Sequence, residues 1–232
     1  MSVDERLSEP ESPPASAAPC DEAAAARSWQ IRSRQLLEEH LQRVRGQDLH
    51  VFAYGSLIWR PDFEYEARTL ARVQGYHRAL RMRSRVYRGT PELPGLVLAL
   101  LSGGSCTGLL YRIDARRAEA VLRQVWEREM VTGAYQPRWL RCNPCHHGRH
   151  SPSRPTLSAL GFTLSRHSTN CADMLDDAAM LSVLRHARGR AGSSMEYLER
   201  TVLSLRQHGL RDRELERLYA LALKNGLGTA LR

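Results

Sequence analysis

Between Leu49 and Leu164 the chain consists of short apolar runs separated by turn residues, and only after about Met174 does a 3.6-residue periodicity take over. Strands that come first, with helices mainly following, do not fit a regular βαβ alternation; they point to an α+β fold, a barrel with helices around it. The runs are "LHVFAYGSLIW" at 49–59, "ARTLARVQGYHRALRMRSRVYRG" at 67–89 as one or two strands, "YQPRWLRC" at 135–142 and "TLSALGFTL" at 156–164. "LPGLVLALLSGG" and "SCTGLLYRID" read as two further strands joined by a hairpin at Gly103-Gly104. One helix interrupts the series, from Arg116 to about Met130, with Ala118, Val121, Leu122, Val125 and Trp126 on its apolar face.

The ends differ from this middle. Residues 1–25 are rich in Pro, Ser, Ala and acidic residues without apolar periodicity, and are expected to form a disordered tail. Residues 26–46 form an N-terminal helix with Trp29, Ile31, Leu36, Leu37, Leu41 and Val44 near one stripe and Gly46 at the C-terminal cap. Residues 47–226 then constitute one domain, which ends in "MLDDAAMLSVLRHARGRAG" and in a stretch that Gly209 and Asp212 divide into two helices. Of the 34 basic residues Lys224 is the only lysine, and the formal charge is +9. The arginines are scattered and aromatics are few, so a pocket for a substrate carboxylate explains the excess better than nucleic acid. No run reaches the roughly 18 apolar residues of a membrane span, the N-terminus lacks the basic-then-apolar order of a secretory signal, and five cysteines suit no disulfide framework. A cytoplasmic, membrane-free protein is expected.

Three stretches carry candidate chemistry. In "VFAYGSLIWR" the strand breaks at Tyr54-Gly55-Ser56, where a glycine permits close backbone approach, successive N–H groups can cradle an anion and Ser56 adds a hydroxyl; a plain strand exit would look the same. In "VWEREMVTGAY" a carboxylate at a helix C-terminus opposes the macrodipole. Glu129 follows Val125 at i+4 and lies on the inner side, whereas Glu127 points elsewhere, so Glu129 is the better candidate for a buried acid or base; a surface glutamate paired with arginine is the ordinary alternative. In "CNPCHHGRH" Cys142, Cys145, His146, His147 and His150 have spacings that could hold zinc or haem, but an exposed loop from Cys142 to Pro155 is the better account, and no metal is expected.

Taken together, "VFAYGSLIWRPDF", "YRGTPELPGLVLAL", "VWEREMVTGAYQPRW" and "ARGRAGSSMEYLERTVLSLRQHGLRDRELERL", in this order, resemble the ChaC-like, glutathione-specific γ-glutamylcyclotransferase family. The resemblance implies a mixed β-barrel surrounded by helices and cleavage of glutathione, or a related γ-glutamyl peptide, to 5-oxoproline and cysteinylglycine without a cofactor. It also implies Glu129 as general base and then general acid. The loop of Ala53, Tyr54, Gly55, Ser56, Leu57 and Ile58 would bind the γ-glutamyl α-carboxylate or the developing oxyanion, and Tyr135 and Arg88 would face the substrate. The chain departs from the family twice. Ala53 stands where the family has glycine, and a positive φ there would strain alanine. Ser193-Ser194-Met195 replaces a Gly-x-Asn, removing a capping or binding side chain. A non-catalytic γ-glutamyl-binding module, or a cyclotransferase for another γ-glutamyl amide, would share these features.

Overall fold

The computed structural model describes residues 19–146, 149–150 and 155–228. Helix α1 spans Pro19–Val44, so it begins inside the stretch expected as tail; residues 1–18 lie outside the described residues. The strands are β1 (Leu49–Ala53), β2 (Ala67–Ser84), β3 (Gly95–Ile113), β4 (Gln136–His146), β5 (Arg149–His150) and β6 (Leu157–Thr163), with α2 (Ala115–Glu129) between β3 and β4. Helices α3 (Asp177–His186), α4 (Ser194–Gln207) and α5 (Arg213–Lys224) follow, and a small hairpin of β7 (Arg188–Gly189) and β8 (Gly192–Ser193) leads into α4. Among the described residues no helix is long and apolar enough to cross a membrane.

The main sheet runs β2-β3-β1-β6-β4-β5, and β2 also pairs with β4, which closes five strands into a barrel. The β1–β6 pair is parallel and the other pairs are antiparallel, so the barrel is mixed as expected. Closure leaves the barrel no open edge. Phe52 and Tyr111, which the β1–β3 register puts on opposite faces of the wall, are both almost wholly buried, as are Leu98, Leu100 and Phe162. Burying such side chains contributes about 1.5–3 kcal/mol each before entropy is counted.

Two expectations about strands are corrected. Gly103-Gly104 is no hairpin: β3 is continuous, and the glycines, at φ +97 and +71, form an irregularity opposite Gly75, itself at φ +81. The pair supplies the left-handed backbone that a bulge needs and a hairpin also needs; the uninterrupted ladder to β2 on both sides decides between them. Likewise "CNPCH" is no exposed loop. Its residues prolong β4, and Cys142–Pro144 pairs with Ala71–Val73 to close the barrel, with Cys142 and Cys145 buried. Pro144 sits near the strand's end, where a missing N–H interrupts little of the ladder.

The helices are capped in ways the sequence explains. Asp114, Asp176 and Asp212 accept from the first turns of α2, α3 and α5, and Ser193 forms a capping box with Glu196 at the start of α4. The apolar pattern from Met174 therefore becomes a helix only after the Asp176 cap, and "ARGRAG" forms the β7–β8 turn instead of more helix.

Candidate active site

The break after β1 folds into a single turn of tight helix over Ser56–Ile58. Its backbone is held from beneath. Buried Arg78 donates to the Tyr54 carbonyl at 2.8 Å and to the Thr107 carbonyl at 2.7 Å while its guanidinium meets Asp212 at 3.2 Å; Tyr111 donates to the Leu57 carbonyl at 3.0 Å. Satisfying the carbonyls from the barrel side leaves Gly55, Ser56 and Leu57 to line a recess. Glycine at 55 has a packing reason: a Cβ there would stand 3.0 Å from the Tyr197 hydroxyl.

Glu129 enters the same recess from the C-terminus of α2, its side chain 14% exposed, while Glu127 is exposed and lines only the wider cleft beside it. Burial raises its carboxyl above the ordinary value of 4.5, and the neighbouring Arg128 only partly opposes this. The Arg128 guanidinium lies 3.2 Å from the Glu129 carboxylate, donates to Ser56 Oγ at 2.9 Å and reaches Asp62 at 3.0 Å, so it ties α2 to the turn.

Three phenols complete the recess. Tyr54 donates to the Phe162 carbonyl at 2.7 Å, and Tyr135 donates to the Leu98 carbonyl at 2.8 Å. Tyr197, from α4, accepts from the Leu98 N–H at 3.3 Å, which leaves its own proton to donate. Burial raises all three, Tyr197 to about 12, so at neutral pH they are donors and not anions. The recess encloses about 20 Å³, room for about one water or one substrate oxygen. It opens into a cleft of about 660 Å³ that shares Ser56, Glu129, Tyr135 and Tyr197 with it and is flanked by Arg83, Arg85 and Arg88.

The structure thus brings together Tyr54, Gly55, Ser56, Leu57, Glu129 and Tyr135 around one recess. Arg88 stands apart from them on the cleft wall, buried, with its guanidinium 5.5 Å from the Tyr197 ring centroid. Ala53 and Ile58 do not line the recess: Ala53 is the last residue of β1, paired with Leu109, and Ile58 packs in the core. Among the described residues only Asp62 combines a side chain with positive φ, so Ala53 carries an ordinary strand backbone. Ser194, at the second departure, is fully buried; its Oγ accepts from the Leu96 N–H at 2.9 Å and faces the Arg88 carbonyl at 3.3 Å, linking α4 to the start of β3. Tyr197 and Arg128 were not singled out from the sequence. Both lie inside quoted motifs, but helical periodicity marks Tyr197 only as buried, and the sequence offers Arg128, like Arg123, only as an ordinary partner for a surface glutamate.

The metal candidate stays apart from this site. Cys142 pairs with Val73 and Leu157 in the barrel wall, burial raises its thiol to about 12, and His147 lies outside the described residues.

Residues 49–225 match the family described as ChaC-like protein. The chain is 32% identical over 167 residues to the glutathione-specific γ-glutamylcyclotransferase of Escherichia coli (strain K12), covering 70% of this chain and 69% of that protein. It is 30% identical over 156 residues to glutathione-specific γ-glutamylcyclotransferase 1 of Homo sapiens, covering 66% and 68%. A crystal structure of the γ-glutamyl cyclotransferase specific to glutathione from yeast superposes with a TM-score of 0.67 at 21% identity, over 76% of this chain and 96% of that one, and so shares the fold. With the barrel, the four motifs and the match over residues 49–225 in agreement, this chain belongs to the ChaC-like family.

Proposed function

We propose that the chain is a glutathione-specific γ-glutamylcyclotransferase that forms 5-oxoproline and cysteinylglycine, with residues 47–226 as its catalytic unit. The observation that carries this reading is a carboxylate raised by burial, Glu129, facing the Gly55–Leu57 backbone across a recess the size of one oxygen. The names of the relatives supply the substrate class.

The chemistry needs no cofactor. A γ-glutamyl amide carries its own nucleophile, the α-amino group, which closes a five-membered lactam by attacking the γ-carbonyl. Glu129 takes a proton from the ammonium, the nitrogen lone pair forms the new C–N bond, and the carbonyl electrons move to oxygen. When that oxyanion collapses, the bond to the cysteine nitrogen breaks and Glu129 returns its proton to the leaving amine. The second proton, shed by the attacking nitrogen as it becomes the lactam N–H, follows the same route, so the amine departs as an ammonium. A carboxyl raised towards neutrality suits both halves of this shuttle. Tyr197, with its proton uncommitted, and the N–H groups of the turn are the donors we assign to the γ-glutamyl carboxylate or the oxyanion. Holding amine and carbonyl in contact can lower the barrier by up to about 7–11 kcal/mol, and a substrate oxygen seated in the small recess takes the place of the one water it can hold, which would otherwise hydrolyse the amide.

In the cleft above, the basic walls at Arg83, Arg85 and Arg88 suit the free carboxylate at the far end of a γ-glutamyl peptide. Cys106, Cys142 and Cys171 are free thiols, which suits the reducing cytoplasm as the compartment we propose. The test is to incubate purified protein with glutathione, γ-glutamylcysteine and other γ-glutamyl amides and to assay 5-oxoproline with the released amine. Glutathione should be turned over fastest; binding by calorimetry without product over hours would favour a non-catalytic module.

A further inference from the structure

Helix α1 lies outside the segment that matches the family, residues 49–225, yet its inner face is spent on the elements that carry the site. Trp29, Ser33 and His40 fall on one side of it at helical spacing. Ser33 Oγ accepts from the Trp126 indole at 2.9 Å, and His40 packs edge-on against Trp126 and Trp139 with centroids 5.3 and 5.8 Å away. Trp29 makes the decisive contact. Its indole N–H donates to the Met130 carbonyl at 3.2 Å, at the C-terminal cap of α2 and one residue beyond Glu129. Its ring covers Gly133, where a Cβ would stand 2.7 Å from the indole.

Residues 130–134 are the only covalent link between Glu129, at the end of α2, and Tyr135, just before β4. Met130 and Ala134 at the ends of that link are buried, but Val131 and Thr132 between them are exposed and Gly133 has φ +67, so the middle of the turn has little side-chain packing of its own. From this we infer that Trp29 is a positioning residue: it clamps the 130–134 turn and thereby sets the placement of Glu129 relative to Tyr135. The inference rests on the reading of Glu129 as the proton shuttle. Glycine at 133 follows from the same contact, since the left-handed backbone and the flat indole over it both exclude a side chain.

A displaced catalytic group weakens the transition state more than the ground state, because proton transfer depends steeply on distance while substrate is held by many other groups. In the full-length chain, Trp29→Ala is therefore expected to lower kcat by about 10- to 100-fold with KM within about twofold. Trp29→Phe, which keeps a ring over Gly133 and gives up only the N–H, should recover the rate to within about threefold of the parent. Ile31→Ala, in the same helix but 61% exposed, should leave both constants unchanged. If circular dichroism shows that the alanine protein is unfolded, Trp29→Leu, with apolar bulk but neither flat face nor N–H, takes its place and should show the same loss of kcat. Full kcat in the alanine or leucine protein, or a change confined to KM, would overturn the inference, as would a phenylalanine protein as slow as the alanine one. Glu129→Gln measured alongside separates the two levels. An inactive Glu129→Gln beside a fully active Trp29→Ala removes Trp29 alone, whereas an active Glu129→Gln removes the shuttle and the clamp together.

Discussion

The recess around Glu129 and the cleft above it share Ser56, Glu129, Tyr135 and Tyr197, yet they are different kinds of place. The recess, about 20 Å³, is walled by three phenols committed to backbone partners or to the space itself, and its one acid is held back from ionising by burial. The cleft, about 660 Å³, is wider, and of the arginines that flank it Arg85 is exposed and Arg83 partly so, while Arg88 is buried. A charge–dipole contact is worth far more in the first setting than in the second, because the protein around it neither screens nor rearranges. Changes in the recess should therefore act on kcat, and changes in the cleft, more weakly, on KM.

The largest expected effect is at Glu129. Glu129→Gln should lower 5-oxoproline formation by about 10²–10⁴-fold, the usual range for general acid–base groups, while glutathione still binds in calorimetry. The same change should raise the melting temperature near neutral pH. Because the folded-state value of Glu129 is raised, its contribution to stability is present below the unfolded value and is lost as pH rises through the folded one. The advantage of the glutamine protein should accordingly shrink on acidification, which differential scanning calorimetry across pH would record.

Next comes Tyr197→Phe, which removes the one recess phenol whose proton is uncommitted; a loss of about 10²-fold in kcat is expected from stopped assays, the lower end for an oxyanion donor. Tyr135→Phe should cost less, because its proton is already spent on the Leu98 carbonyl. An equal loss for the two would mean that hydroxyl commitment does not rank them. The smallest effect belongs to the cleft: Arg85, exposed and bonded to Asn170 at 2.7 Å, should on replacement by alanine raise KM by about two- to fivefold with kcat intact. A kcat effect at Arg85 would erase the distinction between recess and cleft.

How much of this was legible beforehand depended on whether a residue's signal was local. Glu129 could be picked over Glu127 because Val125, one helical turn earlier, marks the buried side; Glu127 is exposed and lines the cleft but not the recess. The Tyr54-Gly55-Ser56 break could be read because a glycine in a strand needs a reason, and the reason proves to be the Tyr197 hydroxyl, a residue about 140 positions on that no local pattern pairs with it. Gly103-Gly104 misled for the same cause: positive φ serves a turn and a bulge alike, and only Gly75 on the facing strand tells them apart. Cys142–His146 was hidden by composition, since its prolines and cysteines mask the alternation that lets the segment close the barrel. The role of α1 had no sequence signal beyond an apolar stripe, because a stripe says that a helix packs without saying on what.

The buried, proton-shuttling Glu129 is probed most directly by the pH dependence of kcat for glutathione in the unmodified protein. As a base the carboxylate must be ionised, so activity should fall on the acid side through the raised value, with a midpoint above the 4.5 of an ordinary glutamate, and that limb should be absent from any residual activity of Glu129→Gln. An acid limb at or below 4.5, or one that persists unchanged in the glutamine protein, would contradict the assignment.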